Sequence, residues 1–226
     1  MLSETVEMYL ITIYRLTNHE SYAHINDIAD MLGLHHSSVS EKVRRLGEEG
    51  LVINEPHKGI KLTDEGHQIA IGVVRKHRLI KTFLVSMAEY PIDEVYEEAC
   101  RLEHAVSGRL ADSLEQLLNN PKFDPHGYPI PTRDGEVIEV KYQTLDDFEP
   151  GDTVVVRRVD ALHHEKLSYL RELGLVPSTI VSIRSIGPFD GPMMLEINGK
   201  TIAIAPSLAR EIEVSAIGDS QASAKK

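Results

Sequence analysis

Ile25-Asn-Asp-Ile-Ala-Asp-Met-Leu-Gly33, followed by His36-Ser-Ser-Val-Ser-Glu-Lys-Val-Arg-Arg-Leu-Gly-Glu48, decides the fold. Ile25, Ile28, Ala29 and Leu32 recur with the period of a helix, and Gly33 stops it because it takes positive φ freely. Ser37 or Ser38 is placed to cap the next helix, and Val39, Val43 and Leu46 give that helix one apolar stripe. Helix, glycine turn, capped helix is a helix-turn-helix. Leu51-Val-Ile-Asn and Ile60-Lys-Leu-Thr then read as two strands around a Glu55-Pro-His-Lys-Gly59 turn, which makes a wing. Helix 36–48 is expected in the major groove of double-stranded operator DNA, with Ser37, Ser38 and Glu41 toward base edges. His36 belongs to the same DNA-binding set, while Lys42, Arg44, Arg45 and the wing residues Lys58 and Lys61 are placed for phosphates.

On the N-terminal side, residues 4–17 form an amphipathic helix through Val6, Leu10 and Ile13, ended by Asn18 and His19. On the C-terminal side a long helix is expected over about 64–88, with Ile69, Val73, Ile80 and Leu84 on one face. Pro91 separates it from a second helix, about 92–107, and a third covers about 108–119. These helices carry much apolar surface for few residues, which predicts a homodimer. Residues 121–135 are a Pro/Gly-rich connector. From about 145 the pattern turns to strands, at 153–159, 180–186, 193–197 and 200–204, with a hairpin at Asn198-Gly199 and a short helix at 167–174. A small β-barrel of about 70 residues follows. The tail from Gly218 is Ser/Ala/Lys-rich and reads as disordered. The organisation is mainly α with a small β-domain: 1–72 for DNA binding, 73–144 for dimerisation with the connector, 145–217 for the β-domain, and 218–226 as tail.

The net charge is −11 from 24 basic and 35 acidic residues, which excludes a general polyanion binder and confines DNA contact to local basic surface. No run of 18 apolar residues exists and the N-terminus lacks a leader pattern, so neither a membrane partner nor export is expected. One cysteine makes no internal disulfide, in keeping with the cytoplasm.

That cysteine lies in Cys100-Arg-Leu-Glu103-His104. At i, i+3 and i+4 a thiol, a carboxylate and an imidazole share one helix face, a donor set suited to first-row transition metals. A small buried core cysteine beside a solvated Glu-His pair is the competing reading. Met8 offers a thioether as a further ligand or simply fills core. His77 is either a second metal position or a locally bonded histidine, and Asp124, His126 and His163-His164-Glu165 are weaker ligand candidates. There is no Gly-rich phosphate loop, His-Glu-x-x-His or nucleophile elbow, so no enzyme and no small-molecule substrate is expected. A metal-dependent enzyme using Cys100 or a metal-bound water is the alternative from another class.

Glu7-Met-Tyr-Leu-Ile-Thr-Ile-Tyr14, Arg75-Lys-His-Arg-Leu79 and Glu98-Ala-Cys-Arg-Leu-Glu-His104 resemble signature stretches of the diphtheria-toxin-repressor family of metal-dependent transcriptional repressors. The resemblance covers nearly the whole chain. It implies a winged helix-turn-helix, a helical dimerisation and metal-binding domain and a C-terminal SH3-like β-barrel. It implies that Met8, Cys100, Glu103 and His104 form the metal site that activates DNA binding, with His77 at an ancillary site. Lys81 and Tyr96 depart from the iron-sensing pattern, which has a glutamate and a histidine there. Asp124, His126 and His164, with Glu165 adjacent, look like second-site positions of the mostly manganese-sensing branch. Thiol and thioether favour Fe(II) over Mn(II), with Ni(II), Co(II) or Zn(II) binding in vitro. The thiol must lose its proton to ligate, so activation is expected to weaken at low pH.

Overall fold

The structure is a computed structural model that describes residues 2–17, 22–138, 140–160 and 164–217. Its first element, α1 (Glu4–Thr17), buries Val6, Leu10 and Ile13. Next comes α2 (Ile25–Leu32), which stops at Gly33 with φ of +64°. There the Gly33 N–H donates to the Asp30 carbonyl and the Leu34 N–H to that of Ala29, which satisfies two end carbonyls. Helix α3, the one expected to be the recognition helix, spans His36–Glu48 and buries Val39, Val43 and Leu46. Neither Ser37 nor Ser38 caps it: His35 is the cap residue and makes no side-chain cap bond, and its carbonyl takes the Ser38 and Val39 N–H groups. The serines already lie inside the first turn, two and three positions past the cap, and both are exposed. Strands β1 (Val52–Glu55) and β2 (Gly59–Leu62) pair antiparallel as the wing, and Ala23 bridges Ile60 on the other side. Leu10, Ile13, Ile28, Val39, Leu46 and Ile60 meet in one core beneath them.

Helix α4 (Asp64–Ser86) starts on Thr63, whose hydroxyl oxygen accepts the Gly66 N–H at 3.1 Å. Helix α5 (Val95–Glu103) is shorter than expected. Residues 92–94 form turns after Pro91, and the Ala105 and Val106 N–H groups both return to the Leu102 carbonyl, so the helix tapers. Helix α6 covers Gly108–Leu117.

A six-stranded antiparallel sheet follows, in the order β3-β8-β4-β5-β6-β7. Its strands are β3 (Gln143–Thr144), β4 (Thr153–Arg158), β5 (Ile180–Ile186), β6 (Met193–Ile197), β7 (Lys200–Ile204) and β8 (Glu213–Ala216). Helices α7 (His164–Leu173) and α8 (Pro206–Ala209) belong to the same domain, with Val154, Val156, Leu170, Ile183, Leu195 and Val214 in its core. This is the SH3-like domain expected from the resemblance; β3, α8 and β8 were not anticipated, being too short to show a periodicity.

Contacts divide the chain into two units: one of Met1–His77, Leu102–Ala111 and Pro131–Glu136, the other of Arg78–Arg101, Asp112–Ile130 and Val137–Lys226. Among the described residues no helix is long and apolar enough to cross a membrane. The expected helix stop at Asn18-His19 and the expected disordered tail from Gly218 lie outside the described residues, as does His163.

Candidate metal centre

One continuous helix places Cys100 and Glu103, with His104 the first residue beyond its end. Glu103 Oε2 lies 2.7 Å from His77 Nδ1 of α4, and Glu103 Oε1 lies 3.4 Å from His104 Nε2. His104 Nδ1 is 2.6 Å from Glu7 Oε2 of α1. His77, Cys100 and Glu103 offer ligand atoms that all lie within 4.8 Å of one another. The buried Glu103 Oε2 has no hydrogen-bond partner among the described residues beyond its close contact with His77.

Burial pushes the Glu103 carboxyl up to about 7, against the pull of His104 and Arg15, and Glu7 adds to the rise. A buried acid held this way gains from a cation beside it. Sulfur, oxygen and nitrogen donors at one place suit a divalent transition metal, so the residues fit such an ion. Met8, by contrast, presents 37% of its surface to solvent, and its carbonyl accepts the Thr12 hydroxyl. Residue reading missed Glu7; its signal was a carboxylate in the first turn, beside the buried stripe of α1.

The connector candidates belong to a second cluster. Asp124 Oδ1 accepts the His126 and Tyr128 N–H groups, at 2.9 and 3.0 Å, and Oδ2 lies 2.5 Å from Lys81 Nζ. His126 Nε2 is 2.9 Å from the Ile92 carbonyl oxygen, and Nδ1 is 3.4 Å from Lys81 Nζ. The connector seats on β4, where the Val159 N–H donates to the His126 carbonyl at 3.1 Å. A Cβ on Gly127 would stand 1.8 Å from the Arg157 carbonyl oxygen. His164 is exposed, with Nδ1 on the Asp93 carbonyl at 2.7 Å, and Glu165 is exposed.

Burial and then the Lys81 ammonium lower His126 to about 4, so the ring is neutral in the fold. The unfolded chain, with its histidine near 6.5, takes up the proton first. The resulting stability is full above pH 6.5 and is lost as pH falls toward 4, on the order of 3 kcal/mol at most. The His126 ring resonances are accordingly expected not to titrate between pH 8 and 5.5; a midpoint near 6.5 would contradict this burial.

The residues expected to face DNA are already partly neutralised. Ser37, Ser38, Glu41, Arg44 and Arg45 are exposed on α3, as is His36, and Lys42 is half-buried. Arg44 pairs with Glu48 and Arg45 with Glu41. On the wing, Lys58 and Lys61 both reach Glu55, at 2.9 and 2.7 Å, and the hydrogen bonds from these ammoniums hold its carboxyl down to about 2. Any phosphate reaching Lys58 or Lys61 would therefore have to compete with Glu55. Glu55→Gln is expected to tighten DNA binding and to steepen its salt dependence by about one unit of log K against log salt. An unchanged slope would place the wing away from DNA.

Family models match in three segments: "Iron dependent repressor, N-terminal DNA binding domain" over residues 1–60, "Iron dependent repressor, metal binding and dimerisation domain" over 63–132, and "FeoA domain" over 143–216. The chain is 30% identical to the iron-dependent repressor IdeR of Mycobacterium leprae over 225 residues, covering 94% of this chain and 97% of that one. A solved manganese-dependent transcriptional repressor in complex with manganese superposes with TM-score 0.81 at 34% identity, covering 94% of this chain and all of that one. The structure of ScaR with bound Zn2+ gives 0.76 at 32%, with 94% and 99% covered.

Proposed function

Because the chain belongs to the diphtheria-toxin-repressor family of metal-dependent transcriptional repressors, we propose that it is an Fe(II)-activated repressor of metal-homeostasis genes, working in the cytoplasm as a dimer on operator DNA. Family members are DNA-binding repressors and not enzymes. Cys100, Glu103 and His104 would hold the metal, with His77 beside them and Met8 as the thioether donor from α1; the grouping of His77, Cys100 and Glu103 supports this reading. The observation that carries the choice of iron is the Cys100 thiol in the same cluster as Glu103 and His77, since a thiolate disfavours Mn(II) relative to softer ions. The superposition on a manganese-dependent repressor keeps Mn(II) as the second reading.

The bound ion supplies two positive charges and directed bonds. Glu7 holds His104 by Nδ1 and so leaves Nε2 for ligation. Glu7 and Met8 ride on α1, whose Val6, Leu10 and Ile13 share a core with α2 and α3. Drawing α1 toward Glu103 and His104 therefore bears on the recognition helix. Holding α1 against Glu103 and His104 would favour the arrangement in which the two recognition helices of a dimer meet successive major grooves about 34 Å apart. Leu102 and Leu110, at 37% and 47% exposure within the segment matched to the dimerisation domain, offer apolar surface for the second copy.

The test is anaerobic DNA binding, on fragments selected from the source genome, titrated with buffered Fe(II) and in parallel with Mn(II). Binding should appear with metal only, and at lower free Fe(II) than Mn(II). The reverse order would make the protein a manganese sensor. Equal binding in a chelated control would remove the gating.

A further inference from the structure

Burying an ammonium costs a great deal unless a counter-charge and hydrogen-bond acceptors face it. Lys81 is 3% exposed. Its Nζ lies 2.5 Å from the fully buried carboxylate of Asp124, 3.4 Å from His126 Nδ1 and 5.8 Å from the centre of the Tyr128 ring. Both partners are aimed by a further bond. The two backbone N–H groups on Asp124 Oδ1 turn Oδ2 to the lysine. The Ile92 carbonyl takes the proton of His126 Nε2, which leaves the Nδ1 lone pair toward Nζ. A carboxylate oxygen and an imidazole lone pair, each steered by an outer bond onto one point, are the donors a metal site would use. Here that point is filled by a cation from the chain itself, and a divalent ion placed there would meet the ammonium at contact distance.

We propose that the Lys81 ammonium is the permanent cation of this connector site, so that the site takes no divalent metal and the chain senses metal through the cluster around Glu103 alone. The residues at this place do not fit a second metal. The connector turn of Asp124, His126 and Tyr128 is consequently assembled whether or not metal is present, and each protomer titrates as a single metal site.

The experiment is anaerobic Co(II) binding to the full-length protein, counted by equilibrium dialysis and followed by the thiolate-to-cobalt absorption of Cys100. Wild type should take one Co(II) per protomer, accompanied by that absorption. Lys81→Glu, which replaces the cation by a carboxylate, should take two, the second adding no thiolate absorption and disappearing in Lys81→Glu/Asp124→Asn. A second Co(II) in wild type that Asp124→Asn removes would overturn the inference, as would a folded Lys81→Glu that still binds one. If Lys81→Glu does not fold, the wild-type count decides alone: one supports the inference and two overturns it. Loss of only the thiolate-linked Co(II) would count against the proposed function and leave the connector inference standing.

Discussion

Glu103→Gln is expected to weaken metal binding more than 100-fold and to abolish metal-dependent DNA binding while leaving the fold intact. The exchange keeps the shape of a side chain that is 4% exposed and removes only its charge. The carboxylate lies between His77 and His104 and shares with Cys100 the space their ligand atoms surround. Removing a partner outside the ligand shell already costs metal sites about 10–100-fold, so loss of a ligand should exceed that. The apo protein should respond in the opposite direction. The folded-state value of Glu103, about 7, is raised above that of the unfolded chain, so wild type loses stability as pH climbs from about 4.5 to 7. The amide carries no such loss. Apo Glu103→Gln should therefore be more stable than apo wild type at pH 8, by on the order of 3 kcal/mol at most. Urea unfolding at pH 8 and a buffered metal titration read the two effects separately. An unaltered metal titration would remove Glu103 from the ligand set.

The second large effect is expected at Gly127. Its φ is +89°, a backbone region that side chains with a Cβ disfavour, and its added Cβ would stand 1.8 Å from the Arg157 carbonyl oxygen and 2.8 Å from that carbonyl carbon. Both obstacles are backbone atoms of β4, with no rotamer to yield. Gly127→Ala should cost roughly 3 kcal/mol or more, from strain and overpacking together. It should lift the connector off β4 and speed hydrogen exchange at the Val159 amide, which donates to the His126 carbonyl. Gly151→Ala is the control: φ is +103° but nothing lies within 4 Å of its Cβ, so it carries the conformational cost alone. Equal losses from the two variants would show that close approach to β4 is not what requires glycine.

The N-terminal helices were legible to the residue because each has a buried stripe of one period; α1, α2 and α3 begin and end where Val6, Ile25 and Leu46 imply. The wing strands shifted by a residue, because a two-faced ribbon of four residues constrains its register weakly. Strands β3 and β8 pair with each other across nearly 70 residues and are too short to announce themselves. The same division runs through the candidate site. Cys100, Glu103 and His104 could be grouped from spacing alone, since the helix brings i, i+3 and i+4 together. That His77 and Glu7 come to this group depends on packing between elements distant in sequence, which periodicity does not report. Lys81 was legible only as an ill-fitting residue; its role needed Asp124 and His126, more than 40 positions away.

The ion pairs on α3 and the wing have a consequence for how repressor molecules distribute over a chromosome. A genome offers about 10⁶–10⁹ random sites, and attraction to them is almost wholly phosphate contact. With Arg44, Arg45, Lys58 and Lys61 each already facing a carboxylate, on a chain of net charge −11, that background attraction should be low. Fewer molecules are parked on irrelevant sequence, and a larger share diffuses free to exchange metal. On the proposed gating, a molecule that leaves its operator when the ion is withdrawn would have little to hold it nearby, and transcription would resume without a slow drain from neighbouring DNA.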